Sequence, residues 1–242
     1  DEKVKMVTFE SDQRIFVDDV IVEYSEPLVD DQTGQEYIVD AYQCKYHVAK
    51  SSVFTADKLI DPRFIKNNQS MLQRLYEAYK KCSSDGELFR IHVVSSSGWE
   101  TQDPFCRFLS SENNIRSTFY EKGSKSTQGK IRAKFANHLA IPEHELKPFL
   151  DKVRFDLGMN RKYLAQRLDS KLRLSGLLPL DLTITNSHYS ELAWKWLEQN
   201  ATVFDKQKLS TLVRKEKLLD VHGKCLLLIR HQSLNPLLSE AI

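Results

Sequence analysis

Two short stretches carry side chains that could do chemistry together. The first is Val17-Asp18-Asp19-Val20, inside the β-branched and aromatic run 14–24. The second is Gln43-Cys44-Lys45, inside the run 36–47. Alternate side chains of an extended chain share a face, so Gln43 and Lys45 point one way while Tyr42, Cys44 and Tyr46 point the other. Asp19 shares its face with Ile21 and Glu23, and Asp18 shares its face with Val20 and Val22. Pairing of the two runs brings one of these aspartates to Gln43 and Lys45. A carboxylate, an amide oxygen and an ammonium group are what phosphodiester hydrolysis with a divalent cation requires. The carboxylate anchors Mg²⁺, with Mn²⁺ as a substitute, through hard oxygen. Gln43 offers its amide oxygen, and the backbone carbonyl of Cys44 can assist. The metal lowers the pKa of a bound water, and a lysine stabilises developing negative charge. Asp19 is the expected principal ligand, and Asp18 replaces it if the strand register slips by one.

The elements that must position these residues follow from pattern. Residues 3–9, 14–24 and 36–47 read as three strands of an antiparallel meander, with a turn around Pro27 and Gly34. Residues 68–82 place Met71, Leu72, Leu75, Ala78 and Tyr79 at helical spacing. Residues 88–95 form a short apolar strand. The first hundred residues therefore read β-β-β-α-β. The remainder reads as mostly helical. Residues 123–128 form a polar, mobile loop, followed by helices over 129–139, 142–153, 159–174, 188–199 and 205–219. A strand signal returns at 224–232. The expected organisation is a core over 1–100, a helical region over 101–222 that supports nucleic-acid binding, and a linker or further domain from 223. The chain lacks an initiator methionine and reads as a piece of a longer protein.

An acid on one strand followed by (D/E/Q)-x-K on the next resembles the PD-(D/E)xK nucleases. Val17-Asp18-Asp19-Val20 with Tyr42-Gln43-Cys44-Lys45-Tyr46 is similar to the glutamine variant of that motif. This variant occurs in the double-stranded-DNA endonuclease domain fused to SAVED domains in CBASS antiphage systems. Val7-Thr8-Phe9-Glu10, residues 172–179, Tyr189–Leu192 and residues 225–234 extend the resemblance along the chain. A helix bearing a further acid or glutamine normally precedes the first strand, and this chain starts too late to show it. The resemblance implies an α/β fold with a restriction-endonuclease-like core, a mixed sheet flanked by helices. It implies Mg²⁺-dependent cleavage of double-stranded DNA in the cytoplasm, with Asp19, Gln43 and Lys45 as catalytic residues. It also implies a fused or associated sensor responding to a nucleotide second messenger, and self-association on activation. The rival reading is an inactive nuclease-like DNA-binding or assembly subunit of a defence complex. A third is a nuclease of the same fold partnered by a helicase or an Argonaute-like subunit.

Composition narrows the alternatives. The 242 residues are 41% hydrophobic and 28% charged with a net charge of +2, which is globular and excludes a pervasive basic field. Any nucleic-acid surface is therefore a local patch, for which Lys125, Lys130, Arg132 and Lys134 are the candidates. The four cysteines lie far apart, without a CxxC pair, as in a protein with reduced thiols. No apolar run is long enough to cross a bilayer, so no membrane partner is expected. Phosphate-loop, dinucleotide, serine-hydrolase and zincin motifs are absent. Asp40, opposite in facing to Gln43, reads as solvated, His92 as a satisfied core histidine, and Gln73 and Arg74 as a solvated helix face or a DNA contact.

Overall fold

The computed structural model describes residues 3–9, 19–30, 33–45, 53–110, 114–159, 161–174, 176–177, 203–205 and 207. The chain divides into two compact units, Asp1–Asn160 and Arg161–Ile242. Expected elements over 188–199 and 224–232 lie outside the described residues, as do Asp18, Tyr46 and His47; of the helix expected over 205–219, Asp205 instead ends a strand, and nearly all the rest lies outside the described residues.

The first unit is built on a mixed sheet. Strands β1 (Val4–Phe9), β2 (Val20–Val29) and β3 (Glu36–Lys45) form the expected antiparallel meander. Strand β4 (Phe89–Ser95) runs parallel to β3, and β5 (Val153–Asp156) runs parallel to β4. The five strands lie in the order β5-β4-β3-β2-β1. A parallel pair needs a crossover. Between β3 and β4 it is α1 (Ala56–Leu59), a 3₁₀ turn (Pro62–Ile65) and α2 (Met71–Ser84). Between β4 and β5 it is a 3₁₀ turn (Pro104–Phe108), α3 (Thr118–Glu121), α4 (Thr127–Leu139) and α5 (Leu146–Leu150).

One face of the sheet carries the core. Ile21, Val39, Ala41, Phe89, Ile91, Val93, Val153 and Phe155 join Leu72, Leu75, Phe105, Phe119, Phe135 and Phe149 in a single buried cluster. Residues beyond 100 thus complete the same core rather than forming a separate helical region, and the division falls at 160.

Four local expectations are corrected. The turn after β2 is not at Pro27: the strand runs on to Val29, and Asp30 turns the chain by accepting from Gly34 N and, through its side chain, from Thr33 N. Pro27 is accommodated because the β2–β3 register breaks between Glu23 and Leu28, so its missing N–H breaks no ladder bond. The helix expected over 142–153 ends at Leu150, and Val153 opens β5. Residues 123–128 are not a featureless loop. Ser126 Oγ donates to Gly123 O and accepts from Gly129 N, starting α4 at Thr127. Helix α2 starts at Met71 rather than Asn68 because Ser70 is extended and forms a capping box with Gln73.

In the second unit, α6 spans Arg161–Leu174 as expected, and Val203–Asp205 is a short strand. Among the described residues, no helix is long and apolar enough to cross a membrane.

Candidate metal and phosphate site

Antiparallel register places the first site residues. Val20 pairs with Tyr42 and Ile21 with Ala41, so Asp19, just before β2, lies level with Gln43. The contact is direct: Asp19 Oδ2 accepts hydrogen bonds from the Gln43 side-chain amide and from Cys44 N. Lys45, the last residue of β3, follows Gln43 by two and lies in register with Ser95 of β4. Gln43 is buried at 5% exposure, and its neighbour across the parallel pair is the fully buried Val93. The core-facing side of β3 is thus apolar at Val39 and Ala41 and turns polar only at its exit, where Gln43 and Lys45 stand.

The donor set fits a hard divalent cation. As arranged, the Gln43 amide donates its N–H to Asp19. Half a turn about its last side-chain torsion presents the amide oxygen instead. Asp19 and Gln43 then offer two hard oxygens, with the Cys44 carbonyl as a third candidate. Among the described residues, no group of three or more His, Cys, Asp or Glu side chains gathers to hold a metal. One carboxylate with an amide suits Mg²⁺, which keeps several waters and takes substrate phosphate oxygens. It does not suit zinc, which is held by three or four protein ligands drawn from Cys, His and carboxylate side chains.

The basic candidates separate. Lys125 and Lys130 are exposed. Arg132 is 5% exposed, and its guanidinium donates to Glu143, Phe119 O and Lys122 O, so it braces the α3–α4 corner and cannot face a phosphate. Lys134 pairs with Asp57 at 2.7 Å. Gln73 closes the α2 cap, its Oε1 accepting from Ser70 N, and is not available to the site.

The largest omission of the sequence reading lies on the other face of the sheet. Asp40 is not solvated: it is 1% exposed and accepts from Arg90 Nε at 2.8 Å and from Tyr24 Oη at 2.8 Å. Arg90 and Arg154 both reach Asp30, at 3.0 and 2.8 Å. Burial opposes ionisation of Asp40, but the bonds from His92 and Arg90 outweigh it and hold its carboxyl below the usual range. His92 is satisfied, as expected, between Asp156 and Asp40. A signal was present, since charges recur at alternate positions of otherwise apolar strands: Arg90 and His92, Arg154 and Asp156.

No family model matches the chain. Over 217 residues it is 26% identical to CD-NTase-associated protein 4 of Enterobacter hormaechei subsp. hoffmannii (strain UCI 50). The match covers 87% of this chain and 42% of that protein, so the chain spans about two fifths of the length of this curated relative.

Proposed function

We propose that this chain is a metal-dependent endonuclease domain that hydrolyses double-stranded DNA, built on a restriction-endonuclease-like PD-(D/E)xK core and acting as an antiphage-defence effector. The observation that carries the reading is the juxtaposition of Asp19 with Gln43 at the exit of β3, with Lys45 on the same side of that strand. The likeness to CD-NTase-associated protein 4 supports a place in antiphage defence.

Asp19 and Gln43 are the residues that would hold Mg²⁺, which when bound supplies a water of lowered pKa and neutralises charge on the attacked phosphate. Lys45 donates from its ammonium group to the attacking water or to a non-bridging phosphate oxygen. Val93, in register with Gln43, and Phe155, in register with Val93, are fully buried and close the core side of the strand exits. A linked sensor for a nucleotide second messenger, self-association on activation and a cytoplasmic setting complete the proposal.

The test is nicking of supercoiled plasmid with Mg²⁺, with and without EDTA, at low and high protein concentration. Wild type should cut only with metal, and Lys45→Ala should lose at least about 10²-fold in rate with its melting temperature kept. Undiminished cutting by Lys45→Ala would remove the assignment. Duplex retention without cleavage at any concentration would leave a binding subunit instead.

A further inference from the structure

Behind the Gln43–Lys45 side of the sheet, a buried histidine ties three parallel strands together. His92 of β4 stands with Nδ1 2.7 Å from Asp156 Oδ2 of β5 and Nε2 3.2 Å from Asp40 Oδ1 of β3. Its ring stacks on Tyr42 at 4.5 Å between centroids. A neutral imidazole carries one N–H, and an ionised carboxylate can only accept. Two carboxylates facing the two ring nitrogens are satisfied together only by an imidazolium. Asp40 is committed to the ionised state, since Arg90 grips both its oxygens, at 2.8 and 2.9 Å, and Tyr24 donates to it from β2.

We infer that His92 is an imidazolium cross-brace that holds β3 and β5 at fixed separation across β4 and thereby positions the strand exit bearing Gln43 and Lys45. The brace grips β3 at Asp40 and Tyr42, immediately before Gln43, from the face opposite to the Gln43 side chain. It grips β5 at its last residue, after which Gly158 N and Met159 N bond back to Ser97 O and Ser95 O. Loss of the brace therefore frees the exits of β3 and β5, the edge where the candidate site stands.

The groups facing His92 are Asp40 and Tyr42 from β3, Asp156 from β5, and the Arg90 guanidinium beside Asp40. Burial disfavours the charge, yet the bonds to Asp156 and Asp40 prevail and raise the pKa above its ordinary 6.5. For a histidine raised on folding, the stabilisation is complete below the unfolded value and is lost as pH rises through the folded one. The brace is thus complete on the acid side and opens as pH rises through the raised value. Its link to catalysis rests on the nuclease reading, whereas its existence does not.

The experiment is nitrogen-detected NMR of the imidazoles in the full chain across a pH series, with His92→Asn to assign the resonance. Both His92 nitrogens should be protonated at neutral pH. The backbone amides of Gln43 and Lys45 should shift in step with the His92 titration. Asp156→Asn, a conservative change at a partly exposed side chain, should raise the proton concentration for half-protonation of His92 by about tenfold. A neutral His92 at neutral pH, an unmoved titration in Asp156→Asn, or amides of Gln43 and Lys45 that ignore it would each overturn the inference. None of these readouts needs cleavage, so a protein that fails to cut DNA would sink the nuclease reading while leaving the brace to be judged by itself.

Discussion

A single carboxylate oxygen, Asp19 Oδ2, accepts from both the Gln43 side chain and the Cys44 backbone N–H, which locks the start of β2 onto the exit of β3. The lock is chemical as well as structural. It places negative charge at a strand exit where the neighbouring core positions are apolar.

Asp19→Asn separates these two roles. Asparagine keeps an acceptor oxygen for Cys44 N–H and removes the charge, so the fold should persist with a small change in stability. Metal binding should fall by at least about tenfold, since a hard cation prefers an anionic oxygen. At metal about 100-fold above its Kd, binding stabilises a native state by about 2.7 kcal/mol. Thermal melts with and without Mn²⁺, with isothermal titration, should show that increment in wild type and lose about half of it or more in Asp19→Asn. An equal metal-induced increment in both proteins would refute Asp19 as a ligand.

The α2 cap makes a second prediction. Ser70 is fully buried, and its Oγ accepts from Gln73 N at 3.2 Å while standing 2.7 Å from His138 Nε2 on α4. The hydroxyl has one proton, which serves Nε2 of a neutral imidazole. Burial accordingly pulls the His138 pKa below its ordinary 6.5. Ser70→Ala removes a cap and leaves a ring nitrogen unserved, which should cost about 1–3 kcal/mol. The sign with pH is opposite to that of His92. A histidine held neutral contributes stability above its unfolded pKa, and this is lost as pH falls through the folded one. Urea unfolding of wild type below the ordinary histidine pKa should show this loss, and Ser70→Ala should show a flatter profile.

What was legible in the sequence, and what was not, divides by range. Alternation along β2 and β3 is a local property, so the Asp19–Gln43 pairing could be read from residues 17–46 once the two strands were taken as neighbours. Helices α2, α4 and α6 were legible from apolar spacing, within a few residues at their starts. Strand β5 was missed because Val153-Arg154-Phe155-Asp156 is four residues long and directly follows a helix whose Phe149 and Leu150 continue its apolar pattern. The Asp40–His92–Asp156 row was missed for a related reason. It closes only because β5 lies beside β4, a pairing between segments about 60 residues apart; the alternating charges of each strand mark a polar face but do not say which strand lies beside it. Arg132 was misassigned because its neighbours are lysines. Its burial depends on where α3 ends, not on its own surroundings in sequence.

Gly129 tests the corner that residues 123–129 make. A Cβ there would stand 2.3 Å from Gly123 O and 2.7 Å from Ser124 Cα, both backbone atoms. Alanine is the better helix former by about 1 kcal/mol, which would favour the substitution in an open helix. Here the clash forces the turn apart, and overpacking of this kind costs about 1–3 kcal/mol. Gly129→Ala should therefore destabilise the protein in denaturant unfolding. A stabilised variant would show that the 123–126 turn does not hold this packing.

The basic side chains on α4 and in the turn before it should split into two behaviours. Lys125 and Lys130 are exposed, so Lys125→Ala/Lys130→Ala should leave the melting temperature unchanged. If they contact duplex phosphates, the slope of log affinity against log salt should fall by about 0.9 for each lost contact, near 1.8 for the pair. Arg132→Ala should do the reverse. It strips the donors from Phe119 O and Lys122 O and removes the partner of Glu143, at a cost of about 2–4 kcal/mol for two unserved carbonyls and a lost ion pair. Its salt slope should stay at the wild-type value wherever the variant remains folded. Fluorescence anisotropy on a short duplex, run beside thermal melts, reads both quantities. A lysine pair that leaves the slope untouched would move the DNA-binding surface away from this helix, and an Arg132→Ala variant that melts like wild type would deny that arginine its bracing role.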